Sequence, residues 1–170
     1  MRFKTVPPAP PENVPAAEAL RTVRDALPLV PRSQDDCCGR LVDRVAWIEE
    51  RDVATEWIGF LRALGLAERS DAGYSRVRDD VDTDALATRF RANVVGVGAT
   101  IDALEAQEEP QTAGEVFEAI ESTVPEWERR RSDTWHEEWN DHTERLLAWA
   151  TALEIATAVD DGYRLSASGG

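Results

Sequence analysis

The chain predicts a mainly α fold with short β-hairpins, an α+β class in which one small unit is built twice. Three observations carry this. Residues 60–74 align without a gap on residues 149–163, 89 positions later: Ala63, Leu64, Ala67, Asp71, Gly73 and Tyr74 fall on Ala152, Leu153, Ala156, Asp160, Gly162 and Tyr163, and Leu66 meets Ile155. Each copy reads as a helix end, a short strand, a tight Asp/Gly turn and a returning strand. Ahead of both copies, apolar residues recur at helical rather than alternating spacing.

Along the chain, residues 1–15 form an extended proline-rich arm, since Pro7, Pro8, Pro10, Pro11 and Pro15 forbid a helix. The first unit spans 16–80. Its first helix carries Leu20, Val23, Ala26 and Leu27 on one face and ends at Pro28 and Pro31. Ser33 with Asp36 opens a second helix in capping-box manner and turns Leu41, Val42, Val45 and Ala46 inward. A third begins near Asp52, carries Ala54, Trp57, Ile58, Leu61 and Leu64, and stops at Gly65. A hairpin follows around residues 70–73.

A connector occupies 82–108. Leu86, Phe90, Val94, Val97, Ile101 and Leu104 form one apolar stripe, which predicts a continuous helix over 83–106. Gly96 and Gly98 lower its propensity but permit close helix contact, so it either docks the two units or forms a homodimer seam. The second unit spans 112–166, with a short tail at 167–170. Thr112 and Glu115 make a capping box, Trp127, Trp135 and Trp139 lie on the next helical pieces with Ser132 or Asp133 as a cap between them, and Leu146, Leu147, Trp149 and Leu153 lie on a third helix. Val23, Ala26 and Leu27 also sit over Val116, Ala119 and Ile120 at an offset of 93, which implies an indel of about four residues inside the repeat.

Three helices followed by a hairpin resemble the winged-helix module, and the pair resembles haloarchaeal winged helix-turn-helix proteins. The resemblance implies that the third helix enters a DNA major groove while the wing touches phosphates. On the first unit this singles out Arg51, Thr55, Arg62, Arg69 and Arg76 as DNA-binding residues, with Glu56 opposing them. The competing reading is a solvated face with local ion pairs.

Composition fits the halophilic side of this resemblance. There are 33 acidic against 19 basic residues, a net charge of −14, and of the bases only Lys4 is lysine. In molar salt the Debye length falls to about 3 Å, so such a surface scarcely repels itself. Local charge then becomes informative: residues 16–77 hold 11 acids and 9 bases, whereas 78–170 hold 21 and 8. Only the first unit is neutral enough to meet a polyanion.

The remaining candidates are weaker. Trp135 and Trp139, four residues apart, are candidate partner-binding anchors if exposed and core residues if not, and Trp47, Trp57 and Trp149 fit core positions. Arg129-Arg130-Arg131 is the single basic run, and a solvated helix face is its blander reading. His136 and His142 are six apart, which points them to different sides of a helix, so no metal is expected. Adjacent Cys37 and Cys38 suit packing, one buried and the other incidentally exposed, better than a redox pair. No phosphate-cradling glycine loop or nucleophile motif occurs, so neither enzyme activity nor a cofactor is expected. No stretch reaches the ~20 apolar residues of a membrane span, which suits a cytoplasmic protein. The functional expectation is a DNA-binding or chromatin-associated regulator acting through the first unit. The alternative is an acidic scaffold that binds a protein partner, as the partners of chromosome-organising complexes do, and an RNA-associated factor is a more distant third.

Overall fold

The computed structural model describes residues 6–11, 13–78 and 82–166. They divide into two compact units, Met1–Val94 and Val95–Gly170. The tail expected at 167–170, and part of the arm expected at 1–15, lie outside the described residues. Within that arm Val6 is buried.

The first unit runs α1 (Ala16–Ala26), α2 (Gln34–Arg44), α3 (Arg51–Ala63), β1 (Ala67–Ser70), β2 (Gly73–Arg76) and α4 (Thr83–Asn93). Helix α1 starts directly after Pro15, whose fixed φ suits a helix start, and buries Ala19, Leu20 and Val23. Leu27, preceding Pro28, is already extended, as a residue before proline prefers. At the start of α2 the Ser33 hydroxyl accepts from the Asp36 amide at 3.1 Å. Leu41 and Val45 are buried there, but the helix ends at Arg44, so Ala46 turns to solvent and Val42 is only half-buried. Helix α3 buries Ala54, Trp57, Ile58, Phe60 and Leu61, and Phe60 lies edge-on to Phe90 of α4 with centroids 6.0 Å apart. Burying an aromatic side chain of this kind is worth about 2–3 kcal/mol, so the α3–α4 contact is a main support of the unit.

The hairpin pairs Arg69 with Tyr74 and Ser70 with Gly73. A third, one-residue strand completes it: the Arg32 amide donates to the Tyr74 carbonyl at 3.0 Å, and the Tyr74 amide donates back at 2.7 Å. This seals the wing against the segment between α1 and α2.

The second unit contains α5 (Val97–Glu105), α6 (Ala113–Ile120), a 3-10 turn (Glu121–Thr123), α7 (Glu126–Arg131), α8 (Trp135–Ala152), β3 (Ala156–Val159) and β4 (Gly162–Leu165). The Thr112–Glu115 capping box opens α6 with both reciprocal bonds present. Gln111 and Tyr163 exchange backbone hydrogen bonds at 2.9 and 2.7 Å, reproducing the Arg32–Tyr74 bridge. Phe117, Ile120, Val124 and Trp139 form a core cluster, flanked by Val95, Ala99, Ala103 and Trp135.

Three sequence expectations change. The helix over 83–106 is two helices: Val94 is extended and Gly96 sits at φ +93, a left-handed conformation that a continuous helix excludes. The stripe reads through the break because Leu86, Phe90 and Val94 are buried at the end of one unit and Val97, Ile101 and Leu104 at the start of the next. With all six buried, the stripe offers no apolar surface for a dimer seam. The repeat register also changes: Ser33 caps α2 as Thr112 caps α6, and Arg32 bridges Tyr74 as Gln111 bridges Tyr163. The counterpart of α6 is therefore α2 at an offset of 79, not α1 at 93. Since the hairpins differ by 89, the second copy carries ten additional residues between its cap and its hairpin: the segment before its third repeat helix spans 121–134 where the first unit has 45–50, and it holds α7, while α8 is also longer than α3. Finally, Trp135 and Trp149 stand on one 18-residue helix, not on two pieces.

Gly73 has φ +126, and a Cβ there would lie 2.1 Å from the Arg32 carbonyl oxygen. Gly73→Ala should lower the stability of the first unit by about 1–3 kcal/mol, read as a drop in thermal midpoint. Gly59→Ala, where nothing lies within 4 Å, should be neutral or raise stability by up to about 1 kcal/mol.

Candidate nucleic-acid interface

The five residues singled out on the first unit separate into three groups. Arg51 stands at the start of α3, exposed, and pairs with the Asp35 carboxylate and carbonyl of α2. With Arg32 and Arg40 it lines a shallow groove of 240 Å³ in which three arginines face Asp35, Asp36 and Asp43, a charge-balanced lining. Thr55, one turn on, is exposed; its hydroxyl donates to the Arg51 carbonyl at 3.0 Å and lies 3.3 Å from the Cys38 sulfur.

Arg76 points the other way. Its Nη1 donates to the Asp25 carbonyl at 2.8 Å and lies 3.8 Å from the Asp25 carboxylate. That guanidinium ties the base of the wing to the end of α1.

Arg62 and Arg69 are the pair the fold brings together. Arg62 ends the outward face of α3, Arg69 stands on β1, and both guanidiniums lie 5.8 Å from the centroid of the Tyr74 ring. This is within cation–π range, so one ring faces two guanidiniums. The Tyr74 hydroxyl in turn donates to Gln34 Oε1 at 3.5 Å, linking the stack to α2. Arg69 is exposed and Arg62 half-buried. Glu56 is half-buried rather than standing out on the face.

The second unit shows that this stack is no requirement of the fold. It keeps the tyrosine as Tyr163 and its pairing, now with Ala158. Arg62 is replaced by Thr151 and Arg69 by Ala158, while Thr55 becomes Glu144. The same surface there is neutral to acidic.

The cysteines do not form a reactive site. Both are buried, Cys38 included, against the expectation that one is exposed. Burial, then the neighbouring Cys38, push the Cys37 thiol above its ordinary value of 9.0, and its sulfur lies 3.7 Å from the carbonyls of both Arg32 and Tyr74. Of the histidines, His142 Nε2 is 2.9 Å from the Val95 carbonyl and His136 faces Glu121 at 3.4 Å. Among the described residues no group of three His, Cys, Asp or Glu side chains could hold a metal, and no helix is long and apolar enough to cross a membrane.

The expected anchors of the second unit also move. Trp139 is 4% exposed and belongs to the core, and Trp135 is half-buried beneath Arg129, whose guanidinium lies 4.8 Å from its ring. The exposed tryptophan is Trp127 on α7, at 63%. Sequence reasoning placed it only as part of a helix, since periodicity over a six-residue helix does not define a face.

Two helical units, each with a hairpin completed by a one-residue third strand, match a known family. The model of the Halobacterial double winged helix domain covers residues 1–169. The chain belongs to this family. Neither the curated proteins nor the solved structures contain a match to it. Membership fixes the tandem winged-helix fold and agrees with a halophilic reading of the acidic composition.

Two outcomes follow from the geometry. Arg76→Ala should lower thermal stability by about 1 kcal/mol, whereas Arg69→Ala should leave it unchanged. Because the folded state holds Cys37 protonated where the unfolded chain would ionise it, this thiol's contribution to stability is complete below pH 9.0 and declines as pH rises through the folded value. A denaturant titration across that range in the wild type and Cys37→Ser, compared as differences, checks the sign.

Proposed function

We propose that this protein is a non-enzymatic DNA-binding regulator or chromatin-associated factor that contacts DNA through its first winged helix. The observation that carries the reading is the Arg62–Tyr74–Arg69 stack at the junction of α3 and the wing. In a winged helix that junction meets the duplex where major groove and phosphate backbone are reached together. Two guanidiniums held there by an aromatic ring lose less side-chain freedom on binding than two free arginines would.

Charge supports the same assignment. Residues 16–77, with 11 acids and 9 bases, are close to neutral on a chain of −14. In molar salt the long-range repulsion of the acidic remainder is screened within a few ångströms, so the contact itself decides binding. Tyr74 is then a positioning residue, and Thr55 lies on the same outward face of α3 for groove contact. Arg51 contributes only where its ion pair with Asp35 opens, and Arg76 acts through the wing.

Fluorescence anisotropy with duplex DNA, over a series of KCl concentrations, tests this. The Arg62→Ala/Arg69→Ala double variant should bind more weakly at every salt concentration, with a log K–log salt slope smaller by about two, while near-ultraviolet circular dichroism shows it folded. Tyr74→Leu, which keeps bulk but removes the π face, should weaken binding without the change in slope. An unaltered slope in the double variant would remove the stack from the interface.

A further inference from the structure

The repeat supplies an internal control for the second unit. Its paired tyrosine and capping box persist, but the segment between its second and third repeat helices spans 121–134 where the first unit has 45–50, and it holds α7. Nothing in the first unit's fold calls for such an insertion, so its surface is open to a separate use.

That surface combines three properties. Trp127, 63% exposed, is the most exposed aromatic side chain among the described residues. Arg130 and Arg131 stand three and four positions later, on the same side of the helix, with side chains 77% and 67% exposed. Beside them runs an open groove of 670 Å³ lined by Ser122, Thr123, Val124, Pro125, Glu126, Arg129 and Arg130. Arg129 is held in place by donating to the Glu121 carbonyl at 2.7 Å and by stacking on Trp135, and it forms no ion pair with a carboxylate among the described residues. Its Nε–H is buried and has no acceptor. Arg130 pairs with Glu126 with both side chains exposed, a setting in which such a pair holds little energy, whereas Arg131 lies 3.7 Å from the buried Glu128 carboxylate.

We infer that α7 is a docking surface for an acidic peptide segment of a partner protein, with an apolar side chain seated against Trp127 and carboxylates on Arg129 and Arg130. Three arginines in succession are the basic exception in a half that carries 21 acids, which gives the partner its sign. An exposed tryptophan beside arginines is the composition of a binding hot spot, and the tryptophan supplies the contact that molar salt does not screen. A peptide fits better than a nucleic acid. Glu137, Glu138 and Asp141 at the start of α8 would repel a continuous polyanion, whereas a short segment places one or two carboxylates only where the guanidiniums stand. This inference is independent of DNA binding by the first unit.

The test uses the full chain and fluorescein-labelled synthetic peptides that alternate Asp or Glu with Leu, beside a control with every Leu replaced by Gly and a labelled thymidine oligonucleotide. The Leu-containing peptides should bind in anisotropy titrations and the Gly control should not, and any binding of the oligonucleotide should be the same in wild type and Trp127→Ala. Trp127→Ala should weaken binding about tenfold or more, and Arg130→Glu should weaken it independently, with near-ultraviolet circular dichroism confirming that both variants are folded. The inference is overturned if the Leu-containing peptides do not bind, if they bind both variants as they bind the wild type, or if the oligonucleotide binds in a manner that Trp127→Ala abolishes.

Discussion

One backbone exchange recurs at the centre of each unit, and most of the rest depends on it. Arg32 and Tyr74 donate to each other's carbonyls, as Gln111 and Tyr163 do in the second copy. A two-stranded hairpin is marginal on its own. The bridge makes it the edge of a three-stranded element anchored between the first and second helices. Its demands reach outward: Gly73 must take φ +126 because no Cβ fits against the Arg32 carbonyl, and the Cys37 sulfur must tuck against the same two carbonyls. Once Tyr74 is fixed this way, its ring stands where Arg62 and Arg69 converge.

The two copies then diverge on that shared frame. Both retain the tyrosine and the turn, so these belong to folding. The arginines flanking Tyr74 become Thr151 and Ala158, so the shared frame does not require them. The converse holds for α7, which only the second copy has. The two copies thus differ on one frame: one unit has a compact basic stack that the other lacks, and the other has a short helix with an exposed tryptophan.

How much of this could be read from residues alone follows from which signals are local. Both hairpins and both helix caps were legible because turn and cap chemistry act over three or four residues: Asp71 with Gly73, Asp160 with Gly162, Ser33 with Asp36 and Thr112 with Glu115. The break at Val94–Gly96 was not, since Leu86 to Leu104 keep helical spacing across it and each half is buried in its turn. Only the backbone shows that Gly96 is left-handed. Similarly, Arg76 and Arg69 look alike in the hairpin, and the side-chain geometry alone assigns one to Asp25 and the other to Tyr74. Trp139 and Trp127 exchange roles for the same reason, because burial of an aromatic is decided by packing partners far away in sequence.

The claim at the centre of this account is that the first unit, and not its copy, presents the nucleic-acid surface. Backbone amide chemical-shift mapping of the full chain, titrated with duplex DNA, addresses it most directly. The account predicts shifts at the amides of Arg62, Arg69 and Tyr74 and none at Thr151, Ala158 and Tyr163. Shifts at the second set, or at neither set under conditions where the DNA is bound, would contradict it.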